Sequence, residues 1–107
     1  MAADMSKIQS FFPTLIYRAD TAATAKLNRE LEQASLMLAQ DDLVGIKWCE
    51  KHGYQGYTSF ASIKDLPTHI PAFNSLEKIL ARNAAKFPKP LHWDIRGGKP
   101  VCDSMWV

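Results

Sequence analysis

The sequence predicts an α+β fold in which two amphipathic helices flank a few short strands. Two stretches carry apolar residues at helical spacing, and four or five short runs have the aromatic, β-branched or alternating composition of strands. The chain has 107 residues, of which 47% are hydrophobic and 22% charged. This size and balance indicate one small domain, residues 1–107, with a single core.

The first two elements are predicted between residues 11 and 40. Phe11–Tyr17 is aromatic and β-branched, and Pro13 within it favours an extended segment at a sheet edge. A helix is expected from Thr21 to about Gln40, with an N-cap at Asp20–Thr21. Its apolar stripe comprises Leu27, Leu31, Ala34 and Leu38. Asp41–Asp42 would oppose the helix macrodipole, so the helix should end before them or turn sharply there.

Two short predicted strands and a glycine-flanked segment follow between residues 43 and 63. Val44–Cys49 and Tyr57–Phe60 have the composition of strands. Gly53 and Gly56 flank Tyr54 and Gln55, which indicates a turn or a mobile loop.

The second predicted helix begins at Pro71, since proline suits the first turn of a helix. Pro88 and Pro90 should stop it. Its buried side is expected to comprise Phe73, Leu76, Leu80, Ala84 and Phe87.

The last part of the chain reads as two strands around a turn. Leu91–Ile95 alternates as a half-buried strand would, and Gly97–Gly98 suits a hairpin-type turn. Val101–Val107 is predicted to form the final strand. Because an end within an apolar strand is unusual for a complete domain, we expect the chain to be an incomplete, N-terminal portion of a domain.

Composition and charge exclude several classes of protein. The formal net charge of +2 is too small to imply a nucleic-acid partner. Polar residues interrupt the first 18 positions, so no signal peptide is predicted, and no run approaches the roughly 20 apolar residues of a membrane span. These features predict a cytoplasmic protein without a membrane partner. Cys49 and Cys102 are expected to be reduced, mostly buried thiols.

No nucleophile or phosphate-binding motif stands out. Cys49 has His52 nearby in sequence, but sequence neighbours do not make a catalytic dyad, and an inert thiol is expected. His52 and His69 are expected to lie exposed and in a loop, respectively. Gly53-x-x-Gly56 lacks the Lys-Ser/Thr of a phosphate-binding loop.

The basic residues and the aromatic residues could each form a binding surface, but each set also has a purely structural explanation. Lys78, Arg82 and Lys86 recur every four residues, with Lys89 beyond, and could meet phosphates or form a solvated helix face. A solvated face is the prediction. Aromatic residues, among them Trp48, Trp93 and Trp106, could stack on a ligand but more commonly fill a core.

Three ordered blocks resemble a known family. The first is Phe12–Tyr17 with the helix containing Leu27–Leu31. The second is Gly56–Ser62, followed by Asp65–Leu66, Pro71–Phe73 and Leu76–Glu77. The third is Leu91–Asp94, Arg96–Gly98 and Asp103–Val107. Together they cover nearly the whole chain, which resembles the N-terminal region of a family of 2-oxoglutarate/Fe(II)-dependent oxygenases from bacteria and phages.

The resemblance implies a double-stranded β-helix, or jelly roll, to which this chain would supply flanking helices and first strands. It also implies Fe(II) and 2-oxoglutarate as cofactors of the full-length protein, a dioxygenase with a small-molecule or protein substrate. The iron ligands of the family lie beyond the position of Val107. No catalytic, cofactor-binding or metal residue is therefore assigned here, and the chain alone should be inactive.

His92-Trp93-Asp94 is the one local pattern that imitates an iron site. Residues i and i+2 of a strand point to the same side, so His92 and Asp94 could reach one ion. Such sites need two histidines and a carboxylate, and no histidine follows Asp94. We therefore predict a polar strand face rather than a metal site.

Two further hypotheses stand beside the oxygenase portion. One is a small non-catalytic binding or oligomerisation module, in which the exposed aromatic last strand favours a homo-oligomer. The other is a phosphate-binding adaptor that uses Lys78, Arg82 and Lys86.

Overall fold

A computed structural model describes residues 5–107, and this part of the chain is helical. Of the described residues, 43% are in helices and 2% are in β-structure. The β-structure is one isolated parallel bridge between Asp65 and Met105. The predicted α+β jelly-roll portion is therefore wrong. The helices are α1 (Ala25–Asp41), α2 (Leu43–Lys51), α3 (Leu66–His69) and α4 (Pro71–Ala84).

Helix α1 confirms the first predicted helix with a later start. It begins at Ala25 after Thr24, whose side chain makes no capping hydrogen bond, so the predicted cap at Asp20–Thr21 is wrong. Ala34 and Leu38 of the predicted stripe are buried. The helix includes Asp41 and breaks at Asp42, so the predicted end before both carboxylates is wrong and the alternative of a turn there is confirmed.

Helix α2 replaces the predicted strand Val44–Cys49. Asp42 is its N-cap, and the Asp42 side chain accepts a hydrogen bond from the Gly45 N–H. Gly45 and Cys49, four residues apart, are its buried positions. A short apolar run fits a helix or a strand equally well, and here the cap and the i, i+4 spacing decide for the helix.

Helix α4 confirms the second predicted helix, since it begins at Pro71. Phe73 is buried and Leu76 packs against the core, but Leu80 is largely exposed. The helix ends at Ala84, four residues before Pro88. The predicted buried side is therefore correct for the first turns only.

The core lies where α1 packs against α4, with α3 packed on α4 beside it. It comprises Ala34, Leu38, Leu66 and Phe73. Partly buried side chains pack around it: Leu31, Tyr57, Ile63, Ile70, Leu76, Met105 and Val107. Residues distant in sequence, including the last segment, thus share one small core.

The other predicted strands are also wrong, because the backbone breaks their extended runs or leaves them unpaired. Phe12 and His92 have φ angles of 54° and 57°, which interrupt the extended backbone of 11–17 and 91–95. Residues 57–60 and 101–107 have no strand partner beyond the single bridge. Turns do form at Gly53, Gly56 and Gly97, which have positive φ, but the hairpin predicted around Gly97–Gly98 is wrong because no strands flank it within residues 5–107.

The described chain divides into a hub and two poorly covered segments. We call residues 25–84 with 105–107 the hub, residues 5–24 the N-terminal arm, and residues 85–104 the connecting loop. The radius of gyration is 20.7 Å and the longest extent is 76 Å. A compact domain of this length would have a radius of about 13 Å. Within residues 5–107, no helix has the length and apolar character needed to span a membrane.

Candidate functional site

His92 and Asp94 lie in an exposed part of the connecting loop. The Asp94 carboxylate accepts a hydrogen bond from the Arg96 N–H at 2.9 Å, and its other oxygen lies 4.0 Å from Arg96 Nε. His92 has the left-handed backbone conformation rather than that of a strand. Across residues 5–107, no three His, Cys, Asp or Glu side chains converge in a way that could hold a metal ion.

The other two histidines are held by residues of their own helices. His52 caps α2, where its ring stacks on Trp48 at 4.3 Å and its Nδ1 lies 2.8 Å from the Trp48 carbonyl oxygen. His69 is the last residue of α3, so the prediction of a loop position is wrong. Its Nε2 lies 3.1 Å from Asp65 Oδ1. Both are exposed and each has a local partner.

The two cysteines differ in environment. Cys49 is buried, and its thiol lies 3.7 Å from the Thr58 carbonyl oxygen. Cys102 is exposed, which corrects the prediction that both thiols are mostly buried. Both are free thiols, as predicted.

The most elaborate polar cluster of the hub centres on Asp42, at the corner between α1 and α2. The Tyr57 hydroxyl donates to Asp42 Oδ2 at 2.7 Å, and the Ser62 hydroxyl donates to the same oxygen. The Gly45 N–H donates to Oδ1 at 3.1 Å. One carboxylate thereby ties the start of α2 to the segment 57–62.

The electrostatics of this cluster favour an ionised Asp42. Partial burial opposes ionisation, but the hydrogen bonds from Ser62, Tyr57 and Gly45 outweigh it and lower the pKa of Asp42. Burial, the hydrogen bond to Asp42 and its negative charge together raise the pKa of Tyr57. The pair is therefore a carboxylate and a neutral phenol at physiological pH. This arrangement stabilises structure, and it presents no nucleophile with an adjacent base.

Gly45 is required by the close approach of this cluster. A Cβ atom at residue 45 would lie 2.8 Å from Ser62 Oγ and would collide with the Asp42 carboxylate. The sequence analysis missed the cluster because it treated Asp42 only as the end of a helix. The signal was the spacing Asp42-x-x-Gly45, in which a capping carboxylate meets the N–H three residues on.

The last three residues lie along the segment 58–66. The Met105 N–H donates to the Lys64 carbonyl at 2.6 Å, and the Met105 carbonyl accepts from the Leu66 N–H at 3.3 Å. The Val107 carbonyl accepts from the Ser59 N–H and the Thr58 hydroxyl, both at 2.7 Å. These bonds account for the burial of the two polar side chains, Thr58 and Ser59.

An aromatic row crosses the outer surface of this docked segment. The centroids of Trp48 and Phe60 are 6.2 Å apart, and those of Phe60 and Trp106 are 5.3 Å apart, both edge to face. Lys64 Nζ lies 4.3 Å from the Phe60 ring centroid, within the range of a cation–π contact. Trp48 and Trp106, predicted to fill a core, instead line this partly exposed surface, and Trp93 is exposed in the connecting loop.

The predicted basic row is divided by the end of α4. Lys78 and Arg82 are exposed on the helix, whereas Lys86 and Lys89 follow its last residue, Ala84. The ion pairs found within residues 5–107 are Lys26–Glu30, His69–Asp65 and Arg96–Asp94. The row is thus an exposed basic patch without a built pocket around it.

A cleft of about 290 Å³ lies beside the docked segment. Its walls carry both signs of charge, from Lys64, Asp65, Glu77 and Asp103. The Cys102 thiol and the hydroxyls of Thr68 and Ser104 also line the cleft, and no histidine lies beside them. The cleft therefore offers polar contacts without a catalytic pair.

Comparison with known proteins adds no family assignment. No protein-family model matches the chain, and a search of curated proteins finds no significant relative.

Proposed function

We propose that this chain is the N-terminal, non-catalytic portion of a cytoplasmic 2-oxoglutarate/Fe(II)-dependent dioxygenase of the hydroxylase type. The observation that carries the proposal is the contact between two of the three blocks that resemble the family. Residues 56–62 and 103–107 are far apart in sequence, yet the Ser59 N–H donates to the Val107 carbonyl at 2.7 Å. Two of the blocks that carry the resemblance thus belong to one packed unit, which supports reading them together.

In this proposal the residues of this chain do not hold the metal. The facial triad of such enzymes requires two histidines and one carboxylate around one ion. The described histidines lie on α2, on α3 and in the connecting loop, and no three ligating side chains converge. The chain's own contribution is the hub, which supports residues of the enzyme that follow it. The substrate, a small molecule or a protein, binds elsewhere.

The test is to read the native coding sequence past the codon for Val107 and to measure the intact mass of the natural product. The proposal predicts a continuing frame with a histidine-rich segment and a later histidine and basic residue. A stop codon after Val107, with an intact mass of 12.0 kDa, would overturn it. Titration of this chain with Fe(II) and 2-oxoglutarate provides a second test, because tight stoichiometric binding of both would contradict a non-catalytic role.

The hub also favours a second candidate, a small non-catalytic binding or oligomerisation module. The hub has its own core around Leu66 and Phe73, while the N-terminal arm leaves Phe11, Phe12 and Ile16 exposed. Exposed apolar side chains of this kind mark interaction surfaces. This candidate predicts a cooperative thermal transition and a defined oligomer for the isolated chain. Loose packing or nonspecific aggregation would count against it.

A further inference from the structure

The docked segment Met105–Val107 has the side-chain alternation of a strand. Met105 and Val107 pack against the core, and Trp106 between them points outward with 45% of its surface exposed. The backbone groups of Met105 and Val107 bond to the segment 58–66. Because backbone groups alternate sides along an extended chain, those of Trp106 face away from that segment.

The outward edge of this segment has no hydrogen-bond partner. Within residues 5–107, neither the N–H nor the carbonyl of Trp106 takes part in a hydrogen bond. An extended segment paired on one side and free on the other is an edge that accepts another strand. The edge is short, and its one complete donor–acceptor unit is Trp106.

We propose that a second copy of this chain pairs with this edge, antiparallel and around a two-fold axis through the two Trp106 residues. In an antiparallel ladder, two opposed residues can exchange both N–H···O=C bonds. Trp106 opposite Trp106 is such a pair, so the edge is complementary to itself, as a two-fold dimer requires.

The aromatic row supports a second copy of this chain as the partner of the free edge at Trp106. Opposed residues of an antiparallel pair lie on the same face, so the two Trp106 rings become neighbours. Each ring already contacts Phe60 at 5.3 Å, and Phe60 contacts Trp48 at 6.2 Å. Pairing thus joins two rows into one continuous aromatic surface. An interface this small predicts a weak dimer, with a dissociation constant on the order of 10⁻⁴ M.

The experiment is sedimentation equilibrium of the full chain from about 10 µM to 1 mM, a range that brackets the expected dissociation constant. Trp106→Pro removes the free N–H while leaving the inward hydrogen bonds of Met105 and Val107 intact. We expect the unaltered chain to dimerise and Trp106→Pro to weaken the dimer at least about tenfold. Trp106→Ala keeps the N–H and should weaken it less. Val101→Pro, at another exposed position, should leave it unchanged.

Several outcomes would overturn the inference. They are a chain that stays monomeric throughout the range, a Trp106→Pro variant that dimerises as tightly as the unaltered chain, and a mass that grows past the dimer. If Trp106→Pro reduces the helical circular dichroism signal, the variant is misfolded and cannot test the dimer. Amide exchange of the unaltered chain then provides the test. Exchange at Trp106 must then slow as concentration rises, and a constant rate would refute the pairing. The inference does not rest on the oxygenase proposal, and a defined dimer is also the result that the binding-module candidate predicts.

Discussion

The hub and the N-terminal arm contain similar kinds of residue and bury them very differently. In the hub, Phe73 is 4% exposed, whereas in the arm Phe12 is 98% exposed. Every residue from 5 to 23 is exposed. In the arm, Tyr17 donates its hydroxyl to Asn83 Oδ1 of the hub at 2.8 Å, and its ring lies 6.1 Å from that of Phe87 in the connecting loop.

This difference teaches that apolar content alone does not bury a segment. The hub buries its apolar residues because they recur on one face of a helix and pack against a second helix. The arm has comparable hydrophobicity without that period, and the positive φ of Phe12 interrupts its extended run. A strand needs a partner strand, and the described chain supplies none for the arm.

The largest expected effect is the difference in stability loss between one substitution in the hub and a matched substitution in the arm. Phe73→Ala should lower the free energy of unfolding by about 3–5 kcal/mol, because it removes a buried ring and leaves a cavity. Phe12→Ala, the matched control in the arm, should change it by less than about 0.5 kcal/mol. Urea unfolding followed by circular dichroism measures both. If Phe73→Ala fails to fold, Phe73→Leu should still show a loss, and equal losses in arm and hub would break the comparison.

A smaller loss is expected at the contact between the docked segment and the hub. Ser59 is fully buried, and its hydroxyl donates to the Ile63 carbonyl at 2.9 Å and accepts from the Val107 N–H at 3.2 Å. Ser59→Ala leaves both groups unsatisfied, so we expect a loss of about 1–3 kcal/mol and faster amide exchange at Val107. Ser10→Ala in the arm is the control. An unchanged exchange rate at Val107 would show that Ser59 does not hold the segment.

The Asp42 cluster should make the hub sensitive to acid. The folded-state pKa of Asp42 lies below its ordinary value of 3.8, so ionised Asp42 contributes stability at higher pH. That contribution is complete above roughly pH 5 and is lost as the pH falls past the ordinary value through the folded pKa.

Asp42→Asn tests this cluster. It should cost about 1 kcal/mol near neutral pH, because it weakens the cap of α2, and the cost should shrink in acid. Asp41→Asn, one residue earlier and exposed, should show no such dependence. Unfolding curves at pH 7 and in acid measure the difference. A cost that is independent of pH would contradict the ionised cluster.

The smallest expected effect concerns the attachment of the arm. Tyr17→Phe removes the exposed hydrogen bond to Asn83 and keeps the ring beside Phe87, so stability should fall by less than about 0.5 kcal/mol. Tyr54→Phe, an exposed tyrosine on the hub, is the control. Urea unfolding of both variants provides the measurement. A loss above about 1 kcal/mol would mean that the arm belongs to the cooperative core.

The sequence predicted the elements whose signals are local. The stripe of α1 and Pro71 at the start of α4 depend on neighbours three or four residues away, and both predictions are confirmed. The predicted strands failed because a strand depends on a distant partner that composition does not reveal. The strand predicted at Val44–Cys49 was wrong for another reason. The apolar run fits a helix or a strand, and the capping carboxylate of Asp42 favours the helix.

The polar cluster and the docked segment were less accessible to prediction. Asp42 lies 15 residues before Tyr57 and 20 before Ser62, and the three meet only because the segment after α2 returns to the corner at Asp42. The contact of Ser59 with Val107 spans 48 residues. Such contacts follow from the packing of the hub and have no signature at fixed sequence spacing.

Amide hydrogen exchange of the unaltered chain tests the division into hub and arm most directly. The structure predicts slow exchange in the middle of α1 and α4 and at Leu66, Met105 and Val107, whose N–H groups are hydrogen-bonded. It predicts exchange close to unfolded-chain rates from residue 7 to 23 and at Asp94, Ile95 and Gly97, because within residues 5–107 these N–H groups make no hydrogen bond. Protection of residues 11–17 together with Asp94 and Ile95 would indicate a sheet and contradict the helical hub with an uncovered arm.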